Sequence, residues 1–413
     1  MPSVDTESRA NRVRLDAIDV VRGAVMILMV LDHTRQFVHE DGLTGHPLDL
    51  ATTTIPLYLT RWVTHLCAPA FVLCAGLGIG LRRLRAGTGG LRWYVFTRGL
   101  WLVTIELTLV RALLWFNLDY ATFFAHLQVI WAIGASMIVL SLLVRLPVVV
   151  VAAMGALLIV GHNALDAVQV SPWRPDGAGP APGPGGAIWI LLHQSGFFPI
   201  GGPRGPVVWA DYPLLPWLGV LCVGYAMSRL YAWPRAPRRR ALTLAAVSMP
   251  AVFVLLRTWN VYGDPRDWAP QPTVVYSAMS FMRVTKYGPS LDFLLVTLAP
   301  ACAALAILDG RSFAHGIGGA VATFGRVPFF FYLLQWITAH AAGIVVTLWR
   351  GGDLGPYVMH PVELLRLDSP PNVGGPLWVV YACWIVSVIA LYPICRWFAG
   401  VKARRRDWWL SYL

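Results

Sequence analysis

Residues 14–39 read RLDAIDVVRGAVMILMVLDHTRQFVH, and the rest of the chain is interpreted from this stretch outward. It opens on Arg14, Asp16, Asp19 and Arg22, crosses a nearly uncharged run, and closes on Asp32, His33, Arg35 and His39. An apolar run of this length predicts a membrane-spanning helix. Arg22 and His33 are eleven positions apart, close to three full helical turns, so they share one face roughly 16 Å apart along the axis. Met26 and Met29 lie on the same stripe. Ionisable groups within a span are expensive, and their default meaning is a functional site.

The composition supports a membrane reading throughout. Of 413 residues, 57% are hydrophobic and 13% charged, and the mean hydropathy is +0.59. A soluble chain would carry about a quarter charged residues. The expected fold class is therefore all-α, a polytopic integral membrane helix bundle. The first apolar run is long, carries ionisable groups and lacks a small-residue cleavage pattern, so no cleavable signal is expected. The net charge of +12 does not point to nucleic acid, because the Lys and Arg residues sit in short loops beside apolar spans. All six cysteines (Cys67, Cys74, Cys222, Cys302, Cys383, Cys395) fall in apolar spans without CxxC or Cys/His ligand spacing. Neither a disulfide framework nor a metal site is indicated.

Ten helices are expected, at about 18–39, 56–81, 91–115, 122–143, 146–165, 213–231, 241–258, 289–308, 321–348 and 374–399. An even count places Arg9, Arg12, Arg14, Arg82, Arg83, Arg238 and the Lys402–Arg406 cluster on one side, with both termini cytoplasmic. The chain is one domain, 1–413. Residues 1–17 read as a cytoplasmic tail, 166–212 as a flexible Pro/Gly-rich outer loop, and 400–413 as a basic cytoplasmic tail. Gly76 and Gly80 form a small-xxx-small pair that would let helices approach closely.

On this topology Arg22 faces the cytoplasmic end of helix one. Asp32, His33, Arg35 and His39 lie at its outer end. Helix two enters from the outer side with Arg61 and His65 on one face, at the same depth. An imidazole beside a carboxylate is the usual way to build a general base near neutral pH. The competing interpretation is structural: Arg and Asp pair to lower the cost of burial, and the histidines bond to backbone. Glu106, Arg111, His126, Gln128 and Asp292 are further intramembrane polar positions, each consistent with a helix–helix hydrogen bond or with a substrate contact. No Gly-x-Ser-x-Gly elbow indicates a hydrolase. A transporter or exporter is the rival class, since buried charges also mark ion pathways, although no matching pair of interrupted spans is visible.

Several stretches add a family resemblance. RLDAIDVVRGAVMILMVLDHTRQF (14–37), LTRWVTHLCAPAFVLCAG (59–76), LQVIWAIGASM (127–137), YPLLPWLGVLCVGY (212–225), TKYGPSLDFLLVTLAP (285–300), FGRVPFFFYLLQW (324–336) and RRRDWWLSYL (404–413) together resemble bacterial membrane proteins grouped with the heparan-α-glucosaminide N-acetyltransferase catalytic domain. The Arg22 to His33 spacing also resembles the arginine-then-histidine pattern of the wider membrane acyltransferase superfamily. The resemblance implies acetyl-CoA as a cytoplasmic co-substrate and an acyl group moved to a sugar or other amine or hydroxyl acceptor on the far side. Expected partners are then acyl-CoA, an extracytoplasmic glycan or small-molecule acceptor and membrane lipids, with no nucleic acid and a homodimer as a further expectation. The location is the cell (plasma or inner) membrane.

Carried over to this chain, the resemblance makes His33 the base, with Asp32 orienting it, His39 as the alternative and His65 nearby. Arg22, Arg82 and Arg326 would hold CoA phosphates. Arg35, Arg61, Glu106, His126 and Asp292 would contact the acceptor. The chain departs from the pattern at Gln335, where many relatives carry histidine, and it lacks the longer luminal portion of the eukaryotic enzymes.

Overall fold

The computed structural model describes residues 4–175, 179–367, 369–405 and 407–412, with backbone alone for residues 4–15 and 411. The side chains of Arg9, Arg12, Arg14 and Arg406 therefore lie outside the described residues. The chain begins with α1 (Val4–Val38), followed by α2 (Ile55–Val63) and α3 (Cys67–Ala86), which run on through a 3-10 turn. Next come α4 (Leu91–Ile105) and α5 (Arg111–Trp115), joined by a π turn at Glu106–Val110. Then follow α6 (Val129–Leu143), α7 (Val148–Gly161), α8 (Pro184–Leu192), α9 (Leu214–Met227) and α10 (Arg235–Trp259). The last portion comprises α11 (Val274–Met282), α12 (Leu291–Leu308), α13 (Gly316–Arg326), α14 (Pro328–Trp349), α15 (Pro361–Leu364) and α16 (Leu377–Arg404).

Among the described residues, seven helical stretches are long and apolar enough to cross a membrane: 55–86, 148–165, 214–232, 235–259, 291–308, 328–349 and 377–404. The α6 helix is apolar but shorter. Besides α6, two further expected spans fall outside the seven for physical reasons. Asp19, Arg22, Asp32 and Arg35 make α1 too highly charged, and the π turn cuts the 91–115 stretch in two.

Other expectations need correction. Residues 123–127 are a strand, β1 (Phe123–Leu127), and the fourth helix starts only after Gln128. The segment 166–212 is not a featureless loop. It carries α8 and two strands, β2 (Gly196–Pro199) and β3 (Val207–Ala210). These complete a sheet of order β1–β3–β2, with β1 parallel and β2 antiparallel to β3. The ninth expected span is two helices, broken at Val327 because Pro328 disfavours helical backbone in the residue before it. Residues 4–17 form the start of α1, and α16 runs on to Arg404.

Glycines set how closely the helices approach. A Cβ on Gly76 would collide with the Leu221 carbonyl, one on Gly80 with Ser228 and the Tyr225 carbonyl, and one on Gly224 with the Leu73 carbonyl. The Gly76/Gly80 pair thus lets α3 lie backbone to backbone on α9. Gly155 and Gly219 do the same between α7 and α9. Among apolar surroundings that offer helices no hydrophobic drive to associate, such close contact is the main cohesive force. At the end of the bundle where α1 starts, here the basal end, Arg238 forms a bidentate pair with Asp309 at 3.0 and 2.9 Å, tying α10 to the end of α12.

Candidate functional site

Two cavities lie along the α1 stripe. The basal one, of about 290 Å³, is lined by Arg22, Tyr94, Arg98 and Tyr412 together with apolar side chains of α3, α6 and α14. The distal one, of about 70 Å³, is lined by Asp32, His33, Arg35, Arg61, Lys286 and Tyr287, with Gln128 and Tyr212 also in its wall. Met29, Phe71, Val129 and Tyr332 line both cavities, so the two meet at an apolar waist. The eleven-residue spacing puts Arg22 in one cavity and His33 in the other, with Met29 between them.

His33 is held by residues of α14. Its Nδ1 lies 2.6 Å from Gln335 Oε1, and its ring stacks on Trp336 with centroids 3.7 Å apart. The Gln335 Nε2 donates to the Tyr332 carbonyl at 3.2 Å, which turns Oε1 toward the imidazole. Facing an acceptor, Nδ1 carries the proton, and Nε2 is left as the basic nitrogen.

Asp32 does not orient His33. Successive helix residues diverge by about 100°, and the carboxylate is engaged elsewhere. It accepts a short hydrogen bond from Arg61, lies 3.4 Å from Arg35 Nη2, and pairs with Lys286 Nζ at 3.7 Å. Arg61 also donates to the Tyr287 hydroxyl at 3.1 Å.

Lys286 reaches this position because the loop around it is pinned from both sides. Arg257 donates to the carbonyls of Ser280, Phe281 and Arg283 at 3.0–3.3 Å. Asp264 accepts from the Thr285 N–H at 2.7 Å and the Ser290 hydroxyl at 2.6 Å. Ser290 in turn caps α12 by accepting from the Phe293 N–H. Burial, followed by Arg61, pushes the Lys286 ammonium down to about 8, and Asp32 opposes that shift.

The remaining candidates fall behind the walls or away from them. Glu106, presented by the π turn, accepts the Gln128 N–H at 2.7 Å and so fixes the start of α6. His126 bonds Asp211 Oδ2 at 3.0 Å and stacks on Trp209 at 4.1 Å, bracing the strand that leads to Tyr212. His39 accepts the Asp41 N–H at 3.1 Å beside its bridge to Gly375, outside both cavities. His65 is buried edge-on to Phe293, with both ring nitrogens lacking a partner among the described residues, and is not among those lining either cavity. Asp292 sits at the start of α12 against Gly263, also outside the linings.

At the basal end Arg82 stacks over Tyr94 at 3.8 Å, one layer back from the cavity. Arg326 is half-exposed and faces Asp16 at 3.7 Å and Asp19 at 4.0 Å, and Asp19 also pairs with Arg22 at 3.1 Å.

Lys286, Tyr287, Tyr212 and Arg98 were not singled out as site residues by the sequence. The signal for Lys286 is its place in TKYGPS, just ahead of a span, where a lysine lies close to membrane depth. Among the described residues no group of three or more His, Cys, Asp or Glu side chains could hold a metal ion.

No curated protein matches the chain. Residues 14–259, more than half of the chain, match the family model described as "Heparan-alpha-glucosaminide N-acetyltransferase, catalytic". That match takes in Arg22, Asp32, His33 and Arg61 but ends before Lys286 and Gln335. With apolar helices of membrane-crossing length around a polar stripe and this match over most of them, the chain belongs to the heparan-α-glucosaminide N-acetyltransferase catalytic family, whose membership points to membrane acetyltransferase activity.

Proposed function

We propose that this protein transfers an acyl group, most simply acetyl, from acyl-CoA on the cytoplasmic side to an amine or hydroxyl acceptor at the outer face. In this reading the chain spans the membrane ten times, with α1, the 91–115 stretch and α6 added to the seven apolar helices, and both termini are cytoplasmic. The basal end is then the cytoplasmic one, in keeping with its basic side chains. The observation that carries the proposal is the pair of cavities that meet at Met29, Phe71, Val129 and Tyr332, one holding Arg22 and Arg98 and the other His33.

Arg22 and Arg98 would face the CoA phosphates, since guanidinium forks suit phosphate oxygens, with Arg82 and Arg326 close behind. The pantetheine arm would fill the basal cavity and bring the thioester to the waist. The acceptor would enter the distal cavity, and His33 Nε2 would take its proton as the amine or hydroxyl attacks the thioester carbonyl. A new C–N or C–O bond forms, the C–S bond breaks, and the CoA thiolate leaves and is protonated. Gln335 and Trp336 act through His33 as positioning residues. The carboxylate of Asp32 keeps Arg61 and Lys286 in place rather than taking part in proton transfer.

The test is acyl transfer by purified protein in nanodiscs, with labelled acetyl-CoA and a panel of amino and hydroxyl sugars. His33→Ala should abolish transfer, while His39→Ala should retain it. Full turnover in His33→Ala refutes the mechanism. Substrate flux across liposomes without consumption of thioester would replace it with transport.

A further inference from the structure

The distal cavity holds more positive charge than it neutralises. Its lining contains three cations, Arg35, Arg61 and Lys286, and a single carboxylate, Asp32. That carboxylate is hydrogen-bonded to Arg61, which also reaches Tyr287. Among the described residues the Arg35 guanidinium has one polar pairing, to Asp32 at 3.4 Å, and its Nε is buried without a partner. The Lys286 ammonium has Asp32 at 3.7 Å and the Tyr287 ring at 5.4 Å.

Two other carboxylates stand behind the wall. Asp211 is held by His126 and Ser195 and attracts the Lys286 ammonium weakly from there, and Glu106 accepts the Gln128 N–H through one oxygen while its Oε2 has no partner among the described residues. Arg35 and Lys286 thus form a pair of buried cations whose donors exceed their acceptors. An uncompensated buried charge is among the costliest arrangements in a fold, and it is kept only where something completes it.

We infer that Arg35 and Lys286 form an anion subsite for the acceptor, so that the preferred acceptor is an acidic molecule carrying a carboxylate or phosphate close to the group that is acylated. The inference rests on the acyl-transfer reading for the word acceptor, but not for the anion site itself. A neutral acceptor would leave the two cations facing water or apolar atoms. An acidic one would supply the missing acceptors, with its nucleophile beside His33. The cavity volume of about 70 Å³ suits a compact anionic group rather than a long chain.

Two neutral/acidic pairs test the inference: glucosamine against glucosamine 6-phosphate, and glucose against glucuronate. For the parent protein, kcat/KM should favour the acidic member of at least one pair by about tenfold or more, the range expected for a charge-assisted hydrogen bond to a buried partner. Lys286→Met should lower that ratio by about tenfold, and Lys286→Arg should keep it. Equal use of both members by the parent overturns the inference. So does a Lys286→Met variant that slows acidic and neutral acceptors equally, which would assign the cations to the reaction's developing oxyanion.

Thermal stabilisation by the same compounds without CoA separates this inference from the reading beneath it. Stabilisation of the parent by the acidic members alone, lost in Lys286→Met, supports the anion site even if no acyl transfer is seen, in which case only the acyl-transfer reading fails. If Lys286→Met does not fold, the parent's own preference still decides.

Discussion

Replacing Gln335 with Leu isolates the positioning of His33 from every other part of the site. The amide is fully buried, and Oε1 lies 2.6 Å from the imidazole Nδ1. Leucine fills similar space but accepts nothing, so the folded protein must bury an unpaired Nδ1–H or move the proton to Nε2. The first outcome costs about 1–3 kcal/mol. The second places a proton on the nitrogen that should be the base. Either way kcat should fall by roughly 5- to 150-fold, from the same energy read as a barrier. Among the described residues the amide's hydrogen bonds go to His33 and the Tyr332 carbonyl, and Gln335 does not line the basal cavity, so the KM for acyl-CoA should hold within about twofold. Initial rates of acetyl transfer in nanodiscs, with donor and acceptor varied separately, measure both quantities. Gln335→Glu keeps an acceptor at the same position and should retain more of the rate than Leu. A Leu variant that folds and turns over within twofold of the parent refutes the reasoning, because His33 would then need no partner on α14.

Four further outcomes are expected. Val129→Trp at the waist should block transfer to any acceptor while acyl-CoA binding, measured by calorimetry, persists. Gly76→Leu should destabilise the bundle by more than about 1–3 kcal/mol, the usual cost of overpacking, because the added side chain meets the α9 backbone rather than a side chain able to move; thermal unfolding in detergent reads it. Asp309→Asn should cost about 3–5 kcal/mol by leaving Arg238 buried and half-paired, and the Arg238→Leu/Asp309→Leu double variant should recover much of it. Lys286 supplies a pH test. Its folded value near 8 lies below the ordinary lysine value, so the unfolded chain binds the extra proton between pH 8 and about 10.5. Stability should therefore rise with pH across that window, on the order of 3 kcal/mol in all. The groups that set the folded value, Arg61, Asp32, Cys67 and Asp211, stay in place in Lys286→Met, whose melting curve should lack that rise.

The parts of the site that could be read from the chain are those that one helix, or two neighbours, can specify. The Arg22–Met29–His33 stripe follows from helical period alone, and both ends of it line cavities. The match in depth between Asp32 and Arg61 follows from two consecutive antiparallel spans, and the two side chains do meet. What the chain did not reveal depends on distant contacts. Gln335 stands out in the chain only as a departure from the resemblance's pattern, and no local pattern shows that it holds a histidine 302 positions away. Lys286 looks like an interfacial loop residue until Arg257 and Asp264 are seen to fold its loop inward. The strand at Phe123–Leu127 was hidden because FFAHL, set against an apolar helix, has no period that separates strand from helix over five residues. In the 166–212 segment the Pro and Gly run masked the apolar IWILL and GFFP that become α8 and β2.

The boundary at residue 259 divides the site in a way that matters for how this scaffold can diversify. His33, Arg35 and the waist residues Met29, Phe71 and Val129 belong to the matched portion, while Gln335, which holds the imidazole, and Lys286 come from the remainder. On the proposed reading both the transfer step and the choice of acceptor thus straddle the boundary, His33 relying on Gln335 and Arg35 acting with Lys286. Exchanging the segment after residue 259 between relatives would therefore alter the support of His33 together with the anion site, so a new acceptor is gained only where the incoming segment also supplies a partner for the imidazole.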